Sequence, residues 1–165
     1  MTLVTADDKI LVFEGPDGAG KTALIRFLEK THGYKVLAFD KPKTQEEKDR
    51  MFKMYVELMV SGGILNSNQK WILDRSWYSE MVYGPIMRDK SYISTQQCYA
   101  LEALLVAIGG KVIYVTADTG TLVKRAFNRG EDYVNEEQLA LINEEYNKLF
   151  CHQKRGVGVI YYHNR

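Results

Sequence analysis

The sequence predicts an α/β fold in which helices cover both faces of a five-stranded, mainly parallel sheet. Five short apolar runs occur along the chain, and we expect each of them to form a strand. They cover residues 9–14, 34–39, 71–73, 112–115 and 157–162. Stretches with apolar residues at helical spacing separate these runs. Strands that alternate with helices in this way form a parallel sheet between two helical layers.

The length and composition indicate one domain. The 165 residues, of which 45% are hydrophobic, suffice for a single core and are too few for two ordinary domains. A net charge of +1 gives no overall electrostatic case for nucleic-acid binding, although it leaves room for a local basic groove. No window of about eighteen apolar residues occurs, and residues 1–8 do not resemble a signal peptide. We expect a cytoplasmic protein that spans no membrane, and a homodimer is compatible with the sequence.

The first half of the chain shows clear boundaries. In the first predicted strand, residues 9–14, positions 10–13 are apolar throughout, which is typical of a central strand covered on both faces. The helix that follows the first loop ends at Gly33. The second strand, residues 34–39, is stopped by Pro42, because proline cannot donate to the sheet ladder. Residues 45–60 carry apolar side chains on one side of a predicted helix.

The second half continues the alternation. Residues 77–87 predict a helix that is interrupted near Gly84 and Pro85. Ser94 has the residue type of a helix N-cap, and the glycine pair at 109–110 ends the helix that it begins. After the fourth strand, residues 119–128 and 136–151 predict two more helices, which a charged segment separates.

Residues 15–22, between the first strand and the first helix, form the pattern G-x-x-x-x-G-K-T. Free N–H groups of such a loop and of the following helical turn converge on a phosphate of a bound nucleotide. Lys21 is expected to reach the β- and γ-phosphates of ATP, and the Thr22 hydroxyl to ligate Mg²⁺. The nucleotide-binding residues predicted in this loop are Gly15, Asp17, Gly18, Ala19, Gly20, Lys21 and Thr22.

The third apolar run is followed directly by Asp74, Arg75 and Ser76. Ligands of open α/β sheets bind at the carboxyl ends of the strands, so this position favours a functional pair. The alternative is a surface ion pair at the start of a helix, with Asp74 as the N-cap.

These residues resemble the thymidylate kinases and, more loosely, other nucleoside and nucleotide kinases. The resemblance rests on residues 13–22, on Asp74-Arg75 followed by Ser79 and residues 83–84, and on a late arginine-bearing segment. It covers nearly the whole chain in element order. It implies a P-loop kinase fold with the strand order 2-3-1-4-5 and a short lid.

The resemblance also implies roles for single residues. Asp17 would face the sugar 3′ hydroxyl of the acceptor, and Asp74 would act near Mg²⁺ or its waters. Arg75 would bridge the donor and the acceptor at the transferred phosphoryl group, while Tyr83 would lie beneath the sugar and leave little room for a 2′ hydroxyl.

The lid is expected at about residues 125–134. Some members of the family carry a basic residue inside the phosphate loop, and others supply that charge from the lid. Gly18 stands in the loop here, so the resemblance implies a lid arginine. Arg125 and Arg129 are the candidates, and Arg129 is preferred because the neighbouring Gly130 lets the segment fold over the nucleotide.

The acceptor side departs from the thymidylate kinase pattern. These kinases usually carry Arg-Glu-Pro after the second strand, where this chain has Asp40-Lys41-Pro42. Phe52 or Tyr55 would stack on the acceptor base, but no arginine follows at the usual spacing. An acid at this place would also suit a base that takes the proton from an attacking hydroxyl.

Two hypotheses about the acceptor therefore stay open. The first is a kinase that uses ATP and Mg²⁺ to phosphorylate a small-molecule pyrimidine deoxynucleotide. The second is a phage-type kinase that acts on the hydroxymethyl group of 5-hydroxymethyluracil in DNA, with Asp40 as the base and nearby lysines on the DNA backbone. A regulatory P-loop NTPase is a third class, although no Asn-Lys-x-Asp guanine-recognition stretch is present.

Overall fold

A computed structural model of the protein describes residues 5, 7–130 and 134–165. The strands are β1 (Ile10–Glu14), β2 (Lys35–Ala38), β3 (Trp71–Asp74), β4 (Gly110–Thr116) and β5 (Val159–His163). In the described part of the chain they form one sheet in the order β2-β3-β1-β4-β5, and every neighbouring pair is parallel. The predicted fold class and strand order are confirmed.

Seven α-helices are seen in the described ranges. They are α1 (Lys21–His32), α2 (Gln45–Asp49), α3 (Met51–Met59), α4 (Trp77–Arg88), α5 (Thr95–Ala107), α6 (Thr119–Arg129) and α7 (Glu136–Asn147). A short 3₁₀ turn covers Ile64–Asn66, and a π-helical turn, Lys148–His152, extends α7. Within these ranges no helix has the length and apolar character needed to cross a membrane.

Two helix predictions need correction. The single helix predicted at 45–60 is broken at Arg50, where ψ is −2°. The break separates α2, which buries no residue, from α3, which turns three side chains into the core. The predicted interruption near Pro85 is absent, because proline removes only one helical hydrogen bond and α4 ends soon afterwards at Arg88.

The core has two parts, one on each face of the sheet. One part includes buried residues of α3, α4, α5 and α7, among them Trp77, Leu105 and Tyr146. The other includes buried residues of α1 and α6. All residues of β1 are buried, as expected for the central strand.

The strand register aligns the carboxyl ends of three strands. Phe13 of β1 and Ala38 of β2 are both register partners of Asp74 in β3. The segments that follow these strands therefore leave the sheet side by side. This brings the phosphate loop, Asp40 and Arg75 to one edge of the sheet.

Leu105→Ala tests the packing of the larger core. Leu105 is fully buried, whereas Leu141 is a helical leucine with 45% exposure that serves as a matched control. We expect Leu105→Ala to lower the free energy of unfolding by about 2 to 5 kcal/mol, because it leaves a cavity. Leu141→Ala is expected to change it by about 0.5 kcal/mol or less. Urea unfolding measures both values, and equal losses would contradict the described packing.

Candidate active site

The phosphate loop passes close to β4. Gly15 has a φ of 140°, and a Cβ atom at this position would lie 1.9 Å from the backbone oxygen of Val115. Only glycine fits such an approach. Gly20, with a φ of 99°, then turns the chain into α1. The loop thus runs from the end of the central strand to a helix N-terminus, as the sequence pattern predicts.

Lys21 lies inside this loop with 7% of its surface exposed. Its Nζ donates hydrogen bonds to the backbone oxygens of Gly15, at 2.7 Å, and Pro16, at 2.9 Å. Burial, followed by the nearby charge of Arg75, lowers the pKa of Lys21 to about 7. Both of these hydrogen-bond acceptors are neutral carbonyls, and an anionic phosphate would be a stronger partner for the ammonium.

These residues fit a nucleotide phosphate and Mg²⁺. The first turn of α1 carries no acidic side chain that would repel an anion. Thr22 is exposed in the same turn. The described residues contain no group of three or more His, Cys, Asp or Glu side chains that would hold a metal by themselves. Mg²⁺ needs only one or two protein oxygens besides phosphates and water.

Arg75 joins the phosphate loop to the neighbouring helix. Its backbone is left-handed, with a φ of 73°, which is uncommon for a residue other than glycine. Its Nη1 donates to the backbone oxygen of Gly15 at 3.1 Å, and its Nη2 donates to Oδ1 of Asp17 at 2.5 Å. The hydroxyl of Tyr83 donates to the other oxygen of Asp17 at 2.9 Å. The structure thus brings together three residues that the sequence predicted for one site.

Asp74 does not serve as a helix cap. The cap of α4 is Ser76, whose Oγ accepts a hydrogen bond from the Tyr78 N–H. The alternative interpretation of Asp74 as an N-cap is therefore wrong. Asp74 lies at the carboxyl end of β3 and lines the cavity described next.

A cavity of about 650 Å³ opens beside Asp17 and Arg75. Asp40, Tyr55 and Tyr83 also line it. Phe52 packs against the core and does not line this cavity, so only one of the two predicted stacking residues faces it. The roles assigned to these residues stay predictions.

Two predicted lid arginines lie near the loop. Nη1 of Arg125 donates to the backbone oxygen of Gly18 at 2.8 Å. Arg129 donates from Nε to the Arg125 backbone oxygen at 3.4 Å, and its Nη2 would be 3.1 Å from a Cβ atom on Gly18. The predicted lid, residues 125–134, is described only in part, because residues 131–133 lie outside the described residues. Which arginine acts stays a prediction.

Three polar residues near this site were not predicted from the sequence. Glu14 is a fully buried carboxylate at the end of β1, and Tyr146 of α7 contacts both Glu14 and Arg75. A single acid that ends an otherwise apolar strand was the available signal for Glu14. Asn164 donates from Nδ2 to the Ala19 backbone oxygen at 3.0 Å, and no sequence pattern pointed to this contact.

The lowered pKa of Lys21 makes stability depend on pH in a defined direction. Between about pH 7 and the ordinary value of 10.5, the unfolded chain binds a proton at Lys21 that the folded protein does not. The free energy of unfolding of the ligand-free protein should therefore rise with pH, by up to about 1.4 kcal/mol per pH unit.

Lys21→Met should flatten this rise, and Lys30→Met, which alters an exposed lysine of the same helix, should retain it. Urea unfolding at about pH 7 and about pH 9 measures the difference. An unchanged rise in Lys21→Met would contradict the described burial of Lys21.

Comparison with known proteins places the chain in a family. The sequence profile described as Polyphosphate kinase 2 (PPK2) matches residues 2–140. The prophage-derived protein YorR of Bacillus subtilis is 27% identical over 143 residues, which cover 85% of this chain and 81% of YorR. The GDP-polyphosphate phosphotransferase of Mycolicibacterium smegmatis is 40% identical over 73 residues, and that of Pseudomonas aeruginosa is 33% identical over 78 residues. The chain spans only 24% and 20% of these two enzymes.

Solved structures show the same fold. YorR of Bacillus subtilis, in complex with phosphorylated GDP, has a TM-score of 0.73 at 23% identity, over 93% of this chain and 85% of YorR. Deoxyadenosine kinase of M. mycoides, with bound dCTP, has a TM-score of 0.57 at 19% identity, over 93% of this chain and 89% of the kinase. At these identities the likeness concerns the fold alone.

The thymidylate kinase assignment is wrong, because the family profile that matches is a different one. The motifs behind it, the phosphate loop and the Asp74-Arg75 pair, serve phosphoryl transfer in general and do not distinguish one kinase family from another. The expected cofactors, ATP and Mg²⁺, are confirmed at the level of the family, whose kinases use a nucleotide and Mg²⁺. The protein is a phosphotransferase of the kinase type, and the chain belongs to the polyphosphate kinase 2 family.

Proposed function

We propose that the protein transfers the γ-phosphoryl group of ATP, with Mg²⁺, to a pyrimidine deoxynucleotide that binds in the 650 Å³ cavity. The observation that carries this proposal is the position of the cavity beside Asp17 and Arg75, at the edge of the sheet where the phosphate loop begins. Donor and acceptor would meet there. We further propose that residues 1–165 act as one kinase domain with a lid at about 125–134.

The donor half of the reaction relies on cations. The acceptor oxygen attacks the γ-phosphorus, the bond from this phosphorus to the β,γ-bridging oxygen breaks, and ADP leaves with the electron pair. Lys21, Arg75 and a lid arginine would stabilise the negative charge that spreads over the phosphoryl oxygens. Mg²⁺ held near Thr22 and Asp74 would supply further positive charge when it is bound.

The lining of the cavity suits a nucleotide acceptor better than a polyphosphate chain. Basic and acidic side chains are present in equal numbers among the lining residues: Lys41, Lys43, Lys48, Arg75 and Arg88 against Asp17, Asp40, Glu47, Asp74 and Glu80. A lining with a clear excess of positive charge would attract a polyanion more strongly. Apolar side chains complete the wall and suit a planar base, which Tyr55 and Phe39 would contact. The ring centroids of these two residues lie 5.3 Å apart, and their ring planes form an angle of 71°.

Tyr83 supports the choice of a deoxyribose. Its ring lies 5.1 Å from the Arg75 guanidinium, and its hydroxyl is held by Asp17. A sugar placed against this ring would have little space for a 2′ hydroxyl. Asp17 would then accept a hydrogen bond from the 3′ hydroxyl.

A second candidate is a kinase for the hydroxymethyl group of 5-hydroxymethyluracil in DNA. The observation in its favour is that Asp40 lines the cavity together with Lys41, Lys43 and Lys48. Asp40 would take the proton of the attacking hydroxyl, and the lysines would contact DNA phosphates. A regulatory NTPase is disfavoured by the family to which the chain belongs.

A panel of acceptors tests the proposal with γ-labelled ATP and Mg²⁺. The panel contains the four deoxynucleoside monophosphates, GDP, free deoxynucleosides, polyphosphate, ordinary duplex DNA and duplex DNA that contains 5-hydroxymethyluracil. We expect label on a pyrimidine deoxynucleotide, because aromatic side chains in the cavity would contact the base and Tyr83 would lie beneath the sugar. Label on GDP or polyphosphate alone, the substrates named for two relatives, would replace this acceptor. Label on the modified DNA alone would establish the second candidate.

Asp40→Asn separates the two acceptor classes. A phosphate acceptor needs no base, so this variant should retain a transfer rate within about 3-fold of the wild type, whereas a hydroxyl acceptor should lose about 10²- to 10⁴-fold. Single-turnover rates with the best acceptor of the panel measure the effect. Asp118→Asn, at an aspartate whose side chain is 80% exposed, is the control and should leave the rate unchanged.

A further inference from the structure

Glu14 is a buried acidic residue that the proposed reaction does not use directly. It is completely shielded from solvent at the end of β1. Three hydroxyls donate hydrogen bonds to its carboxylate: Ser76 at 2.7 Å, Ser79 at 2.7 Å and Tyr146 at 3.0 Å. Burial of a carboxylate costs free energy unless hydrogen bonds compensate it. The three hydroxyls provide this compensation for Glu14.

Two of these hydroxyls also contact Arg75. Its Nη1 donates to Oγ of Ser79 at 3.2 Å and to the hydroxyl of Tyr146 at 3.1 Å. Each hydroxyl has one proton and two lone pairs. A hydroxyl that gives its proton to Glu14 therefore presents a lone pair to Arg75. The two hydroxyls also lie 2.9 Å from each other, so they form one hydrogen-bonded network with the carboxylate. In this network their protons are shared between Glu14 and each other, and their remaining lone pairs face the guanidinium. Hydrogen bonds in such a chain strengthen one another.

The backbone of Arg75 needs this support. A left-handed φ of 73° costs energy for any residue with a Cβ atom, and it persists only where surrounding contacts hold the backbone in place. The Arg75 N–H donates to the Phe13 backbone oxygen at 3.0 Å, directly before Glu14. The end of β1 therefore holds Arg75 both through the backbone and, by way of the two hydroxyls, through the guanidinium.

Arg75 has an anion on each side, and the two differ in access. Asp17 holds Nη2 from the cavity side, and 28% of its side chain is exposed. Glu14 acts on Nη1 from the interior and has no exposure. A phosphoryl group that enters the cavity can thus replace Asp17 at Nη2, while the contacts of Nη1 stay in place.

We propose that Glu14 is a positioning residue, which acts through the hydroxyls of Ser79 and Tyr146 to hold the Arg75 guanidinium beside the phosphate loop. The inference rests on the proposed function, in which Arg75 contacts the transferred phosphoryl group. It assigns a task to Glu14 and Tyr146 beyond packing.

A double-mutant cycle tests this proposal. Arg75→Ala should lower kcat about 10²- to 10³-fold, as the loss of a charged transition-state partner does. Glu14→Gln should lower kcat about 10- to 100-fold, which is the range seen when a group that orients a functional residue is lost. The KM for ATP should stay unchanged. In the Arg75→Ala background, Glu14→Gln should cause no further loss, because the residue on which it acts is gone.

Glu102→Gln is the matched control. Glu102 is also a buried glutamate, with 4% exposure, and it accepts hydrogen bonds from the Tyr78 hydroxyl and from the Gly156 N–H at 2.8 Å. It makes no contact with Arg75 among the described hydrogen bonds. We expect Glu102→Gln to lower the melting temperature as Glu14→Gln does and to leave kcat unchanged.

Either of two kinetic results would overturn the inference. One is a loss of kcat in Glu14→Gln that adds in full to that of Arg75→Ala, and the other is an equal loss in Glu102→Gln. If the wild type phosphorylates no acceptor, the proposed function fails. The wild type, Glu14→Gln, Arg75→Ala and the double variant are then compared by urea unfolding. Glu14→Gln should destabilise the wild type more than it destabilises Arg75→Ala. Equal destabilisation would reject the coupling between Glu14 and Arg75 independently of activity.

Discussion

The active edge of this protein depends on the mutual compensation of charged groups that are wholly or partly removed from solvent. Lys21 and Arg75 are held beside the carboxylates of Asp17 and Glu14, close to the end of the central strand. Each charge alone would be costly in such a place, and each is retained because opposite charges and hydrogen bonds surround it. Burial and the charge of Arg75 outweigh the nearby carboxylates and lower the pKa of Lys21 to about 7. A bound phosphate would therefore complete the arrangement.

The parallel sheet makes this arrangement possible. Its strands end at one level, because Phe13 and Ala38 are both in register with Asp74. The loops that follow β1, β2 and β3 thus lie side by side, although long stretches of sequence separate them. Two of these loops bring Asp17 and Arg75 into contact, and the third brings Asp40 to the same cavity. The helices α4 and α7 support the site from behind through Ser79 and Tyr146.

Membership of the polyphosphate kinase 2 family agrees with the phosphate loop as a nucleotide-binding site. The acceptor is proposed to bind in the cavity beside it. The phosphate loop and the Asp74-Arg75 pair are the parts that kinases of many kinds share, which explains why they led to a thymidylate kinase assignment. The cavity is built from other segments, chiefly the chain after β2 and the helices α3 and α4. Its lining carries equal numbers of acidic and basic side chains.

The sequence by itself determined the fold class, the five strands and the phosphate loop, because these follow from local patterns of apolar residues and glycines. It also placed Asp74 and Arg75 correctly at the end of a strand. It did not reveal the break at Arg50 or the continuity of α4 through Pro85, where proline removes only one helical hydrogen bond shortly before the helix ends. In the sequence, Glu14 and Tyr146 belong to predominantly apolar elements. They are hydrogen-bonded to each other although they lie 132 positions apart in the chain. Only the tertiary structure brings such groups together, because a buried charge finds its partners through the packing of strands and helices and not through neighbours in the chain.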